Sequence, residues 1–314
     1  MGRFLTLIVL FVLIFILTLS LFPGFFSKES CTYEEAVQNF AKGKFVTVEG
    51  KKIHYIEKGT GAPVILIHGF LYHTVMWKKN IDALAEKFKV YAIDLWGFGY
   101  SERLPQMGYN FSLYGRQIKG FLEALGIPKA TLVGQSMGGG ISVYVAAHNP
   151  EKVDRLILVD PAVIPYPDTV VATIYKLPGV GEFLNSLPGD FIMKNNLKNF
   201  WFFNPNKVTD EYAKEILRPL CIKGSHEALM YILRNVLKEP LVEKEAQQLA
   251  QTNRPILLIH GREDKAIPLN RSRALNKLWK NSRLVVFERA GHSPGEEYPE
   301  QFNRVVLEFL QEKF

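Results

Sequence analysis

Cysteine is nearly absent: Cys31 and Cys221 are the only two in 314 residues, too few for a disulfide framework. A single bridge between them, in an oxidising compartment, is the less favoured reading. Neither thiol is placed as a nucleophile, and the charged Lys28-Glu29 just before Cys31 disfavours a lipidated cysteine. A phosphate cradle is missing too. Gly97-Phe98-Gly99 and the glycines around position 136 complete neither Gly-x-Gly-x-x-Gly nor a P-loop with its lysine, which excludes a nucleotide site. No cluster of histidines and carboxylates has ligand spacing, so neither metal nor cofactor is expected. Basic runs interleaved with aromatics are lacking, which excludes nucleic acid as a partner. Internal repeats and low-complexity stretches are lacking as well. The net charge of +7 suits an ordinary solvated surface or one lying near anionic headgroups.

What the chain does have is Gly134-Gln135-Ser136-Met137-Gly138, placed where the apolar run Thr131-Leu132-Val133 meets a helical stretch. Such a junction lifts a hydroxyl clear of a sheet on a tight turn, and the glycines are needed where Cβ atoms would collide. Ser136 is therefore the candidate nucleophile. A serine needs a general base, an orienter for it, and donors for the oxyanion. Asp264 follows the run Ile256-Leu257-Leu258-Ile259, and His292 follows Leu284-Val285-Val286-Phe287. The order Ser, Asp, His, each just beyond a strand, lets loops at one sheet edge converge. Backbone N–H groups of Met137 and of Phe70, in the loop after Val64-Ile65-Leu66-Ile67, are the expected oxyanion donors. Asp160 also ends a strand run and is the weighed alternative acid; His68, Asp94, His73 and His260 read as turn-fixing or packing groups, and Glu263 as pointing away.

His68-Gly69-Phe70, Asp94-Leu95-Trp96-Gly97-Phe98-Gly99, Gly134-Gln135-Ser136-Met137-Gly138-Gly139, Gly261-Arg262-Glu263-Asp264 and Gly291-His292 together resemble the motifs of the α/β-hydrolase superfamily, from about residue 44 to the end. Within it, the Gly-x-Ser-Met-Gly-Gly stretch with an apolar amino-terminal run resembles membrane-anchored monoacylglycerol lipases and related esterases. That resemblance implies a serine hydrolase of hydrophobic, lipid-like carboxylic esters, by way of an acyl-enzyme.

Strand runs at 64–67, 90–93, 130–133, 154–159, 256–259 and 284–287 alternate with helical stretches near 74–87, 112–125, 137–148, 270–280 and 298–312. Such alternation predicts an α/β fold, a doubly wound, mostly parallel sheet, preceded by paired strands near 45–48 and 52–57. Between about 161 and 251 the alternation stops, and the segment reads as a helical cap. Its apolar residues, among them Phe191, Ile192, Met193, Phe200, Trp201, Phe202 and Met230, either line an acyl cavity or pack the cap down. Trp96, Trp201, Phe202 and Met230 are the candidate substrate contacts.

Positions 4–22 are apolar apart from Thr6, Thr18 and Ser20, and at helical rise they reach roughly 28 Å, enough to span a bilayer. The run is longer than a signal-peptide core and lacks a small-x-small cleavage site. Residues 1–25 are thus expected to form a transmembrane anchor, 26–43 a linker, and 44–314 the catalytic domain. A secreted or periplasmic form after signal cleavage is the alternative, and basic residues flanking the run leave the membrane side open. Two other functions share these residues: carbon–carbon or thioester hydrolysis with the same triad, and a ligand receptor or membrane scaffold without turnover.

Overall fold

The computed structural model describes residues 29–313 apart from 105–107, 167–169, 187–190 and 238–240, together with Thr6, Leu7, Leu10, Phe11, Ile14 and Thr18. Eight strands form one sheet: β1 (Lys44–Val48), β2 (Lys51–Lys58), β3 (Pro63–Ile67), β4 (Lys89–Ile93), β5 (Ala130–Gln135), β6 (Val153–Val159), β7 (Ile256–Gly261) and β8 (Ser282–Phe287). Their spatial order is β1-β2-β4-β3-β5-β6-β7-β8. The β1-β2 hairpin is antiparallel and pairs antiparallel with β4; the rest of the sheet is parallel. The central strands are unbroken apolar runs because helices cover both faces. Val64, Ile65, Leu66 and Ile67 on β3 and Leu132 and Val133 on β5 are all buried.

The helices are α1 (Tyr33–Phe40), α2 (Ile81–Ala85), α3 (Phe111–Ala124), α4 (Met137–His148), α5 (Val170–Lys176), α6 (Val180–Ser186), α7 (Phe191–Asn196), α8 (Asp210–Leu217), α9 (Ser225–Asn235), α10 (Glu243–Leu249), α11 (Leu269–Leu278), α12 (Pro294–Glu297) and α13 (Pro299–Gln311). Those from α5 to α10 lie between β6 and β7, in the segment whose strand alternation stops. The stretch near 74–87 is not one helix. A 3₁₀ turn at Thr74–Trp77 precedes α2, and the Thr74 N–H is drawn instead onto Asp94 Oδ1 at 2.6 Å.

The amino-terminal region gains a helix and differs from expectation in its cysteines. Within the expected linker, residues 29–43 carry the helix α1, closed by a capping box between Thr32 and Glu35. Ala36 on α1 is fully buried with Tyr100 and Ile222. The cysteines are bonded to each other, Cys31 to Cys221, 190 residues apart with Cα atoms separated by 5.4 Å. A pair so distant in sequence gives no local signal; only the packing of α1 against the cap makes the bond possible.

As for the anchor, Thr6, Leu7, Leu10, Phe11, Ile14 and Thr18 are helical and exposed. The remainder of the 4–22 run lies outside the described residues. Among the described residues no helix is long and apolar enough to cross a membrane.

The disulfide restrains the unfolded chain over a long loop, so Cys31→Ser should cost about 2–4 kcal/mol. Cys221→Ser, and the double replacement, should cost the same, because all three lose one bond. Thermal melts with and without reductant measure this, and coincident melts for the wild type would refute it.

Candidate active site

In the order β4-β3-β5 the chain changes direction across the sheet at β3, and this opens a crevice at the carboxyl ends of the strands. Ile67 pairs with Gly134 across β3 and β5, so the loops that carry Phe70 and Ser136 start side by side. The carboxyl ends of β6, β7 and β8 follow in order and lead to Asp160, Asp264 and His292. Sheet order thus gathers residues that are far apart in sequence.

Ser136 sits at φ 52°, ψ −117°, immediately before α4. A non-glycine residue there is strained by roughly 1–3 kcal/mol. The turn is held by its own hydrogen bonds: Ser136 N–H donates to Val159 O at 2.8 Å, and Ser136 O accepts from Gly139 at 2.9 Å and from Ala162 at 3.0 Å. The flanking glycines answer to close contact. A Cβ on Gly134 would lie 2.2 Å from Gly138 O, and one on Gly138 would lie 2.3 Å from Ile67 O. In the facing loop, a Cβ on Gly69 would come within 3.1 Å of Ser136 Cβ. The Gly69-Phe70 backbone therefore passes directly beside the serine, with Met137 following it on α4.

His292 Nδ1 is 2.7 Å from Asp264 Oδ2. Asp264 in turn accepts the N–H groups of Ala266 at 2.7 Å and Ile267 at 3.0 Å through Oδ1. Nδ1 is thereby committed to the carboxylate. The edge of Trp201 meets the His292 ring with centroids 6.2 Å apart.

The remaining histidines do structural work. His68 accepts Leu95 N–H at 2.9 Å and bonds Gly69 O at 2.7 Å, tying the Phe70 loop to the end of β4. Burial pushes its pKa down to about 4. Asp94 receives Thr74 N–H, Tyr100 N–H and His54 Nδ1; burial opposes its charge, but the His54 partner holds it below the ordinary carboxylate range. His73 bonds Glu215 O, and His260 is engaged by Ser272 and Ile267 O. Glu263 is exposed.

Ser136 and His292 open into a cavity of about 170 Å³ whose walls include Phe70, Leu71, Tyr175, Phe200, Trp201, Leu229, Leu233, Leu237 and Ile267. Asn196 and Lys176 are among its polar members, and Lys176 Nζ donates to Leu237 O at 3.0 Å. Of the candidate substrate contacts only Trp201 lines this space. Trp96 is fully buried; its backbone N–H donates to Gln117 Oε1 and its backbone carbonyl accepts the Tyr114 hydroxyl, so it belongs to the packing under the sheet edge. Phe202 is buried against Tyr212, and the buried Met230 side chain lies against Gly181. Aromatic or apolar character does not by itself say which way a side chain faces. The side chains of Phe191, Ile192 and Met193 lie outside the described residues.

Two positioning groups escaped sequence reasoning. Gln135 Nε2 donates to His292 O at 2.8 Å, which couples the serine turn to the histidine loop. The buried Glu297 carboxylate accepts Gly291 N–H at 2.6 Å and also the N–H groups of Phe203 and Asn204. It thus links the loop before His292 to the cap segment that carries Trp201. The only usable signal was position: Gln135 ends the serine's strand and directly precedes Ser136, and Glu297 lies five residues past the histidine.

Residues 62–299 match the family described as alpha/beta hydrolase fold, and the chain belongs to that family and is a hydrolase. It is 32% identical over 279 residues to a 2-hydroxymuconate semialdehyde hydrolase of Pseudomonas sp. (strain CF600), covering 86% of this chain and 94% of that protein. It is similar to the solved meta-cleavage product hydrolase from Pseudomonas fluorescens IP01, at 30% identity and TM-score 0.74, covering 87% of this chain and 98% of that one. A membrane phospholipase A described as a bacterial virulence factor aligns over 99% of this chain and 98% of its own, with TM-score 0.72 at 23% identity, a likeness of fold. These relatives, and a 2-hydroxy-6-oxononadienedioate/2-hydroxy-6-oxononatrienedioate hydrolase of Burkholderia vietnamiensis at 30% identity, are not the monoacylglycerol lipases that the serine motif and the apolar amino-terminal run led one to expect.

Proposed function

We propose that this hydrolase works through Ser136, His292 and Asp264. Ser136 attacks a carbonyl carbon as His292 Nε2 takes its proton; Asp264 orients and stabilises the imidazolium; and the N–H groups of Phe70 and Met137 hold the oxyanion. His292 then protonates the leaving group and activates water to release the acyl group. The observation that carries this reading is that Ser136 and His292 share one cavity while Asp264 holds the opposite nitrogen of that histidine at 2.7 Å.

For the bond cleaved, likeness to the ring-fission product hydrolases supports a carbon–carbon bond in a vinylogous diketone, ahead of the lipid ester. Such a leaving group departs as a conjugated enolate, which the same imidazolium can protonate. The ester of an apolar acyl group is the second reading, favoured by the aliphatic and aromatic walls around Ser136. Turnover on 2-hydroxy-6-oxo-dienoates, acyl thioesters, monoacylglycerols and p-nitrophenyl esters separates them. The first reading expects kcat/KM for the dienoates to exceed that for the esters by at least about tenfold. The reverse ratio would establish the ester, and no cleavage above background would remove both.

We also read positions 4–22 as a membrane anchor, supported by the exposed Leu7, Leu10, Phe11 and Ile14. The Cys31–Cys221 bond supports a catalytic domain facing an oxidising compartment. Retention in the membrane pellet after carbonate extraction tests the anchor; a mature chain starting near residue 26 would indicate a cleaved signal instead.

A further inference from the structure

Beside the Asp264–His292 pair lies another carboxyl group. Asp160 follows β6 at φ 44°, a strained backbone at the carboxyl edge of the sheet, and its side chain is fully buried. Polar atoms of Asp160, Asp264 and His292 all lie within 4.8 Å of one another. Asp160 Oδ1 accepts Gly261 N–H at 2.9 Å, while Oδ2 has no donor directed at it.

Two carboxylates this close in a dry site cannot both be charged. Asp264 has the better claim to the charge, with N–H donors from Ala266 and Ile267 on one oxygen and the imidazole on the other; Asp160 has one N–H. His260 offers Asp160 no compensating charge. Its Nε2 faces Ile267 O and must carry the proton, which leaves Nδ1 to accept from Ser272 Oγ. Glu297, a further acid whose charge acts on Asp160, adds to the repulsion, and burial pushes the Asp160 pKa well above the usual carboxylate range.

We propose that Asp160 is a positioning residue for the triad: it keeps its proton on Oδ2, donates that hydrogen bond to the Asp264 carboxylate, and stands as a reserve acid for His292. The inference rests on the triad reading above. In the intact protein the O–H of Asp160 fixes the Asp264 rotamer. When Asp264 is replaced by alanine, the charge that kept Asp160 neutral disappears; Asp160 passes its proton to solvent and accepts the Nδ1–H of His292 in its place.

Steady-state kinetics on one good substrate, across pH, test this with Asp160→Asn, Asp160→Ala, Asp264→Ala and the double alanine variant. Asp160→Asn keeps a donor toward Asp264, so kcat should fall only about three- to tenfold and the acid limb of the pH profile should stay in place. Asp160→Ala should lose about a hundredfold in kcat with little change in KM. It should also move the acid limb of the pH profile, which Asp160→Asn leaves in place. Asp264→Ala should remain at least about tenfold more active than the double variant.

Equal activity of Asp264→Ala and the double variant would overturn the reserve role, and Asp160→Asn falling as far as Asp160→Ala would overturn the donor role. Both conclusions require variants that retain the wild-type circular dichroism, and Asp160→Asn supplies one of nearly unchanged volume. If Ser136→Ala or His292→Ala left hydrolysis intact, the triad itself would be wrong; if both abolish it while the aspartate series fails, only this inference falls.

Discussion

Ser136→Ala is expected to lower kcat by at least about 10⁴-fold and to abolish labelling by a fluorophosphonate probe, while the melting temperature should stay near the wild-type value. The magnitude follows from removing the nucleophile of a unit whose members act together. The unchanged stability follows because alanine keeps the Cβ that strains the turn at φ 52°. Ser136→Gly separates the two effects. It is equally inactive, but it relieves the strained conformation and should raise stability by about 1 kcal/mol. Persistent labelling of Ser136→Ala would move the nucleophile elsewhere, and a glycine variant no more stable than alanine would show that the turn stores no strain.

The second large effect belongs to Gly138. Its backbone is pressed against the end of β3, so that an added Cβ would stand 2.3 Å from Ile67 O and 2.6 Å from His68 O. Those neighbours are buried backbone atoms at the carboxyl end of a central strand and cannot swing aside. Gly138→Ala is expected to destabilise the protein by about 3–4 kcal/mol, near the upper end for overpacking. That corresponds to a fall in Tm of roughly 6–15 °C for a domain of this size. Activity should fall as well, since separating α4 from β3 moves Met137 away from the Phe70 loop. Gly295→Ala is the control: its Cβ would meet the Phe302 ring at 3.4 Å, an ordinary contact, and should cost less than about 1 kcal/mol. Differential scanning calorimetry on the pair decides it, and equal melting temperatures would refute the steric argument.

These glycines also show why so much of the site was legible in the chain. The elbow around Ser136 is a local object. Its residues are neighbours in sequence, and the collisions that forbid side chains at 134 and 138 leave a readable Gly-x-Ser-x-Gly. The same holds for the parallel strands, whose burial on both faces requires short apolar runs such as Ile256 to Ile259. Asp264 and His292 were legible because each follows such a run directly. Trp96 misled for the converse reason: it stands in a motif next to the site, yet its ring turns into the core. Met230 and Phe202 carry the composition of a cavity wall, but the rotation of their elements, set by packing, turns them away from it.

The chain alone determined the alternation of strands and helices, its interruption by helices between β6 and β7, and which serine, aspartate and histidine stand as candidates at one sheet edge. Each of these is encoded by periodicity or by residues within a few positions of one another. Only the tertiary structure decided that Cys31 bonds Cys221, that Asp160 lies against Asp264, that Glu297 joins the histidine loop to the cap, and that Trp201 alone among the proposed contacts faces the cavity. Those pairings depend on sheet order and on how the cap docks, which are set by the summed burial of many side chains, and no short stretch of sequence records them.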